Sequence, residues 1–457
     1  MKQKNILVFL TDDHGAWASR PYGNSEVATP TLDFLARTGT RYQNAFTPSP
    51  VCSPARACFF TGKLPSQHGI HDWIQETADP EKSWLDHERN LGECLQTAGY
   101  QTALVGKWHC GRGQHPQKGF DKWFSHAKGQ YPHFGKQLFS DQGKIVERQG
   151  RQSTLLTDEA LSYLRTRESS KPFFLFVGLV DTHSPFSGHP ERLVSRYRDA
   201  RFSDIPSDRL SLPAGMKNRP EFSPKTPEES RQWLAQYYAA VTHIDEQMGR
   251  VIDELETLGV LDETLVVYTS DHGHMNGHHG LYTKGNGTVP QNFYDESIRI
   301  PLLIRAPGLF PAGETETSFV DHLDLFQTLA SAGGVHVNGE SFPGKSFLPE
   351  HPEAPLKIWR EEQFCEYGNA RMIRTSRHKL IQRFAPHAPA SPDELYDLLE
   401  DPRETTNRFD EPALAGIQKD LLQKLEEHFQ RYEIPEKSGT KILDQPVHNA
   451  WEPWRLK

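Results

Sequence analysis

Long apolar runs are missing from this sequence of 457 residues. No stretch approaches the roughly 18 unbroken apolar residues of a membrane-spanning helix, so we expect no membrane partner. Positive charge is also in short supply, because 51 Lys and Arg residues stand against 60 Asp and Glu residues, a formal net charge of −9. This balance argues against nucleic acid as a partner. It leaves room for a local cationic pocket that binds a small anion.

Cysteine is scarce, with five residues in the chain. A sparse set of odd number is unlike the disulfide framework of a small secreted protein, and it favours a reducing compartment. The N-terminal apolar run, Ile6–Leu10, is shorter than that of a signal peptide, and Thr11-Asp12-Asp13 follows it rather than a small-residue cleavage site. We therefore expect a cytoplasmic protein.

The remaining composition is that of a globular protein, with 36% hydrophobic and 24% charged residues. Short apolar segments alternate with helical patterns, which predicts parallel strands joined by crossover helices. The predicted strands, buried on both faces, are Asn5–Leu10, Thr102–Val105, Pro172–Val180, Thr264–Thr269 and Ile300–Ile304. The predicted helices are Pro30–Thr38, Leu91–Ala98, Thr154–Arg165, Glu229–Leu258 and Asp321–Ala330.

The C-terminal part of the chain has a different pattern. Residues Arg371–Phe384 predict a β-hairpin, and Ala413–Arg431 predict an amphipathic helix. The length suits either two or three domains or one large α/β domain with a smaller appended unit. We predict a large α/β domain over residues 1–350 and a smaller α+β subdomain, an antiparallel sheet plus a helix, over residues 351–457.

Polar side chains follow four of the predicted strands. Because ligands bind outside the carboxyl ends of the strands in an open parallel sheet, we expect these side chains to meet at one edge. Each segment alone is equally well interpreted as a turn or a helix cap. Independent turns, however, have no reason to carry the same residue types. The segments are Asp12-Asp13-His14, Gly106-Lys107-Trp108-His109, Asp181-Thr182-His183 and Ser270-Asp271-His272-Gly273.

Four of these residues predict a divalent-cation site. The carboxylates of Asp12, Asp13 and Asp271 supply the hard oxygen ligands that Ca²⁺ and Mg²⁺ prefer. The imidazole of His272 makes Mn²⁺ an alternative. Without a cation, three packed carboxylates would repel one another.

A second constellation surrounds Cys52. Pro54 suits the first turn of a helix, which places Cys52 at a helix N-terminus that favours an anion. Arg56 lies one turn further along the same face. A nucleophile, a helix N-terminus and a guanidinium together predict a pocket for a tetrahedral oxyanion. The alternative interpretation is a buried structural cysteine.

These motifs resemble those of a known family. Cys52-x-Pro54-x-Arg56 followed by Thr61-Gly62 is similar to the signature of the type I, formylglycine-dependent sulfatases of the alkaline phosphatase superfamily. Ala55 stands where Ser is frequent, and His272 stands where Asn is common, as in iduronate-type and choline-type sulfatases. Bacterial carbohydrate sulfatases have a similar pattern, so a bacterial source is expected. Further matches are Asp12-Asp13, Gly106-Lys107-Trp108-His109, Thr182-His183-Ser184-Pro185, Asp271-His272-Gly273 with Lys284, and Glu394-Leu395-Tyr396-Asp397 before Asp401-Pro402.

The resemblance implies a fold and a cofactor set. The fold would be alkaline-phosphatase-like, a large mixed and mostly parallel sheet flanked by helices, with a smaller C-terminal α+β domain. A maturation enzyme would convert Cys52 to formylglycine, whose hydrated gem-diol is the nucleophile. The cofactor would be Ca²⁺, with Mg²⁺ or Mn²⁺ as alternatives. Its ligands would be Asp12, Asp13, Cys52, Asp271 and His272.

The resemblance also implies residue roles in sulfate ester hydrolysis. Asp271 would accept the proton of the nucleophile. His183, assisted by Lys284, would protonate the leaving oxygen, and His109 would assist release of sulfate. The residues that neutralise the sulfate oxygens would be Arg56, Lys107 and Lys284.

The predicted substrate is a sulfated saccharide. Hydrogen-bonding and aromatic residues in two loops suit a sugar, although packing of the pocket wall explains them equally well. They are His71, Asp72, Trp73, His278, His279 and Tyr282. One alternative function is a phosphodiester or phosphonate monoester hydrolase of the same superfamily. A second is a non-catalytic saccharide-binding protein with Cys52 left as a thiol, and a third is a cysteine hydrolase that uses Cys52 with His109 and Asp271.

Overall fold

One large sheet organises the computed structural model, which describes residues 3–127, 132–206, 212, 215–219, 221, 223–337, 339–349, 360–386 and 393–456. The strands up to residue 321 are β1 (Asn5–Thr11), β2 (Thr40–Phe46), β3 (Gln101–Gly106), β4 (Lys122–His126), β5 (Phe134–Asp141), β6 (Lys144–Arg151), β7 (Phe173–Gly178), β8 (Lys217–Asn218), β9 (Thr264–Ser270), β10 (Thr288–Val289), β11 (Leu302–Arg305) and β12 (Glu314–Asp321). Strands β8 and β10 pair with each other. The others form a ten-stranded sheet in the order β12-β2-β11-β9-β1-β7-β3-β4-β5-β6.

Helices cover both faces of this sheet. They are α1 (Pro30–Thr38), α2 (Cys52–Thr61), α3 (Pro65–His68), α4 (Leu91–Thr97), α5 (Gln152–Thr166), α6 (Glu191–Tyr197), α7 (Pro227–Thr257), α8 (Asp295–Ile298) and α9 (His322–Ala332). In β1, Val8 packs in a cluster with residues of α2, α4 and α9, whereas Leu7 packs in a second cluster with residues of α1, α5 and α7. Alternate side chains of a strand face opposite layers, which explains why β1 is apolar and buried along its length.

The centre of the sheet is parallel. Strands β9, β1, β7, β3 and β4 run in the same direction, which confirms the mostly parallel architecture. Parallel pairing was wrong for the strand predicted at Ile300–Ile304, because β11 is antiparallel to both β9 and β2. The longest helix between β9 and β11 is α8, with four residues, so the chain returns beside β9 without a helical crossover.

The C-terminal region has its own sheet. Strands β13 (Gln363–Tyr367), β14 (Ala370–Arg374), β15 (His378–Arg383) and β16 (Glu394–Asp397) are antiparallel neighbours, and α10 (Ala415–Tyr432) packs on β14 and β15. The small C-terminal antiparallel sheet with its helix is therefore confirmed. The boundary predicted between residues 350 and 351 lies outside the described residues. Among the helices that the structure describes, none is long and apolar enough to cross a membrane.

Candidate active site

The register of two parallel strands brings the predicted carboxylates together. Thr11, the last residue of β1, pairs with Ser270, the last residue of β9. Asp12 and Asp271 therefore leave the sheet side by side. The backbone N–H of Asp13 donates to Oδ1 of Asp271 at 3.2 Å. Asp13 adopts a φ of 60°, a left-handed conformation that few non-glycine residues hold.

Cys52 is the first residue of α2, as the sequence predicted for a helix N-terminus. Its N-cap, Val51, is extended, and the thiol is 2% exposed. The thiol donates to Asp12 Oδ1 at 3.3 Å, and His272 Nε2 lies 3.3 Å from Sγ. The ammonium of Lys284 donates to the same sulfur at 3.1 Å.

A compact donor cluster surrounds the thiol. One ligand atom from each of Asp12, Asp13, Cys52 and His272 lies within 4.8 Å of the others. Two carboxylates, an imidazole and the side chain at position 52 form a donor set that suits a divalent cation. Asp271 borders these four residues, with its Oδ1 3.5 Å from His272 Nε2. That Oδ1 accepts from the backbone N–H of His272 at 2.9 Å, and the Oδ2 pairs with Arg56.

Three buried cations balance the acidic groups. Arg56 is fully buried, and its Nε donates to Asp271 Oδ2 at 2.8 Å. Lys107 donates to Asp12 Oδ2, and Lys284 donates to Asp13 Oδ1 at 2.6 Å. Burial would raise the pKa of the Cys52 thiol, but Lys107 and Lys284 hold that pKa well below its usual value. The site is therefore built to stabilise negative charge.

Two imidazoles near the thiol have pKa values that are shifted in opposite directions. Burial, with Lys107 nearby, lowers the pKa of His109 to about 4. Burial and Lys284 oppose a charge on His183, but Asp13, whose Oδ2 lies 4.0 Å from His183 Nε2, raises its pKa above the usual value. A lowered imidazole pKa suits a general base, and a raised imidazole pKa suits a general acid. His109 is oriented by a 3.1 Å hydrogen bond from its Nε2 to the carbonyl of Ile74.

Two further histidines were missed in the sequence. His274 is 2% exposed, and its Nε2 lies 3.9 Å from Asp13 Oδ2. Its position two residues after His272 was the available signal. His133 donates from Nε2 to the carbonyl of His183 at 2.8 Å. Fifty residues separate this pair, and no local pattern predicted the contact.

The first predicted substrate-contact loop is packed against the C-terminal region. His71 and Asp72 are fully buried. His71 donates from Nε2 to the carbonyl of Lys437 at 2.7 Å, and Tyr367 donates its hydroxyl to Asp72 at 2.9 Å. Trp73 is half-buried. Of these three, Trp73 has the exposure that a direct sugar contact requires.

The second predicted substrate-contact loop also has two buried residues and one half-buried residue. His278 donates to the carbonyl of Met275 at 2.7 Å, and His279 stacks on Tyr294 with ring centroids 3.9 Å apart. Tyr282 is half-buried, and its hydroxyl lies 2.5 Å from that of Ser230. The described hydrogen bonds of these six residues do not reach Cys52. Their contact with a sugar stays a prediction.

The sequence and the fold match those of known proteins. The family model "Sulfatase" matches residues 4–335, and the model "N-sulphoglucosamine sulphohydrolase, C-terminal" matches residues 277–431. An N-acetylglucosamine-6-O-sulfatase of Bacteroides thetaiotaomicron is 28% identical over 94% of this chain and 87% of its own.

Solved structures similar to this one include a protein bound to a sulfated sugar, in line with the sulfatases found by sequence. A structure in complex with its substrate D-glucosamine-2-N,6-O-disulfate has a TM-score of 0.81 and 26% identity, over 94% of this chain and 98% of that one. The phosphonate monoester hydrolase of Agrobacterium radiobacter shares the fold, with a TM-score of 0.74 and 22% identity over 93% of this chain and 95% of that one. The family model covers most of the chain, from the first strand to the end of α9 and beyond. The chain therefore belongs to the sulfatase family, the hydrolases of sulfuric esters.

Proposed function

We propose that this protein hydrolyses a sulfate monoester carried by a saccharide and releases inorganic sulfate. The observation that carries the proposal is the position of Cys52, at the start of α2 and in contact with both Asp12 and Lys284. A nucleophile at this point contacts both a carboxylate and an ammonium group. This arrangement suits attack on an anionic, tetrahedral centre.

The donor cluster fits a divalent cation. Asp12, Asp13, His272 and the side chain at position 52 would hold it, with Asp271 beside them. The carboxylate oxygens suit Ca²⁺, Mg²⁺ and Mn²⁺, and Ca²⁺ is the ion that the family resemblance favours. When bound, such an ion lowers the pKa of a hydroxyl at position 52 and draws charge from the sulfur centre. The nucleophile would be the gem-diol of formylglycine, made from Cys52 by a maturation enzyme as the family resemblance implies.

In the first half-reaction, which transfers sulfate to position 52, each residue has a separate role. One hydroxyl of the gem-diol forms a bond to sulfur and gives its proton to Asp271. The bond between sulfur and the saccharide oxygen breaks, and His183 protonates that oxygen. Charge on the sulfate oxygens is neutralised by Arg56, Lys107 and Lys284.

His109 serves the second half-reaction. It takes the proton of the remaining hydroxyl, the C=O bond of the aldehyde forms again, and the bond from carbon to the sulfate oxygen breaks. Sulfate leaves, and water restores the gem-diol. We place this chemistry in the domain over residues 1–350, because the nucleophile, the cations and both imidazoles lie there.

A saccharide is the substrate class that the relatives support. A relative that matches nearly the whole chain is an N-acetylglucosamine-6-O-sulfatase, and the similar solved structure holds a disulfated glucosamine. The half-buried side chains of Trp73 and Tyr282 offer aromatic surface for a sugar ring.

The type of reaction can be tested with two substrates that share the same leaving group. Turnover should be measured for an aryl sulfate monoester and for the corresponding phosphate diester. We expect the sulfate ester to be hydrolysed with the higher kcat/KM. Preference for the diester would overturn the proposal in favour of a phosphodiester or phosphonate monoester hydrolase.

A further inference from the structure

The C-terminal segment carries an exposed aromatic residue that is linked to the site through contacts with other residues. Trp451 is 50% exposed, the largest exposed fraction of any tryptophan that the structure describes. Its backbone N–H donates to the side chain of Asn449 at 2.7 Å. Asn449 is 4% exposed, so the turn that presents the indole is anchored in the protein. An exposed but anchored indole offers a flat apolar surface at low entropic cost.

The first connection of Trp451 to the site runs through Trp73. Asn449 donates from Nδ2 to the carbonyl of Trp73 at 2.7 Å. The next residue, Ile74, donates its N–H to Ser53 Oγ at 2.9 Å and accepts from His109 at 3.1 Å. The C-terminal segment is therefore bonded to the loop that holds His109 and the neighbour of Cys52.

The second connection runs through Arg219. Its guanidinium lies over the indole of Trp451, 5.7 Å from the ring centroid, and its Nη1 donates to the carbonyl of Asn286 at 3.2 Å. Asn286 belongs to the turn that begins at Lys284, whose ammonium contacts Cys52. Two independent chains of contacts thus join Trp451 to groups at the nucleophile.

We propose that Trp451 forms a second saccharide-binding position, at which the sugar ring next to the sulfated residue stacks on the indole. The inference rests on the proposed function and narrows its substrate to saccharides of at least two rings. The apolar C–H face of a pyranose matches the flat, exposed indole.

Two variants and two ligands test this proposal. In the Cys52→Ala background, which removes turnover, affinity is measured for a sulfated monosaccharide and for the disaccharide that extends it by one ring. Adding Trp451→Ala should weaken disaccharide binding by about tenfold more than monosaccharide binding, as truncation of a buried aromatic contact does. Trp451→Phe should retain most of the affinity. Phe134→Ala, which removes an aromatic residue that is 59% exposed on β5, should leave both affinities unchanged.

The same experiment separates the possible failures. Equal losses for both ligands would show that Trp451 only supports the fold of the site, and no loss for either would show that the indole is not a binding surface. Either result overturns the second position. If the proposed hydrolysis itself were wrong, the wild-type protein would bind the disaccharide without releasing sulfate, while the difference between the two ligands would persist.

Discussion

The ammonium of Lys284 lies 3.1 Å from the sulfur of Cys52, and both residues are buried. The two residues are 232 positions apart in the sequence. Lys284 also donates to Asp13 at 2.6 Å, so one cation contacts both the nucleophile and a metal-ligand candidate. A buried positive charge in this place stabilises negative charge at position 52 and on a sulfate bound beside it.

Replacement of Lys284 by Ala should therefore slow the chemical step. We expect kcat to fall by about 10²–10³, the loss typical of removing one preorganised donor to a developing anion. Steady-state kinetics on a sulfate ester measure it. Lys63→Ala is the matched control, because Lys63 pairs with Glu88 rather than with a residue of the site. A change confined to KM for Lys284→Ala would contradict this role.

Replacement of His183 should depend on the leaving group. Loss of general-acid help costs about 10²–10⁴ in rate when the leaving oxygen is basic. His183→Ala should therefore impair an alkyl or saccharide sulfate far more than an aryl sulfate with an acidic phenol. The ratio of the two kcat/KM values is the measurement. Equal losses on both substrates would assign His183 to binding or structure instead.

Removal of the metal should reduce both activity and stability. Asp12, Asp13 and Asp271 converge at the ends of β1 and β9, and their mutual repulsion grows without a cation. After dialysis against a chelator we expect turnover to stop and Tm to fall, since a ligand at 100 times its Kd contributes about 2.7 kcal/mol. Separate addition of Ca²⁺, Mg²⁺ and Mn²⁺ then ranks the metals. Full activity after complete chelation would exclude the assigned ligand set.

The stability of the protein should decrease between weakly acidic and weakly alkaline pH because of Glu76. This residue is 8% exposed and lines a small cavity with Lys107, His109 and His126. Burial raises the pKa of Glu76 to about 7 from an ordinary value of 4.5. The folded state thus holds a proton that the unfolded state releases. The resulting stabilisation is complete below pH 4.5 and is lost as pH rises through about 7.

Glu76→Gln should remove that dependence. At pH 8 the variant should be more stable than the wild type by on the order of 2–3 kcal/mol, because no charge is buried. At pH 5 the two proteins should unfold at similar temperatures. Thermal unfolding at both pH values measures the difference. An equal shift at both would mean that packing, not ionisation, explains the effect.

Much of the fold follows from the local sequence. In β1 and β9 every residue is buried, so an unbroken apolar run identified each strand. The edge strand β6 was missed because most of its side chains are exposed and polar, which leaves neither an apolar run nor an alternation to detect. The direction of β11 was missed because it depends on the path of a long loop and not on the strand itself.

The residues around Cys52 were also predictable from the sequence, but the contacts that surround them were not. Asp12 and His272 could be placed together because parallel strands end at one edge of a sheet. The hydrogen bond from His133 to His183 and the one from Asn449 to Trp73 each join segments that are distant in the sequence. Such contacts depend on tertiary packing, which no local pattern encodes. The buried positions of His71 and His279 were hidden for the same reason.

The most direct test is the relation between sulfate release and the aldehyde at position 52. Protein produced with different amounts of the maturation enzyme should be assayed on one sulfated saccharide. Mass spectrometry of the peptide Phe46–Lys63 then gives the fraction of aldehyde in each preparation. We expect the rate of sulfate release to be proportional to the aldehyde fraction and to vanish for Cys52→Ala. Sulfate release that is independent of the aldehyde fraction would contradict the account.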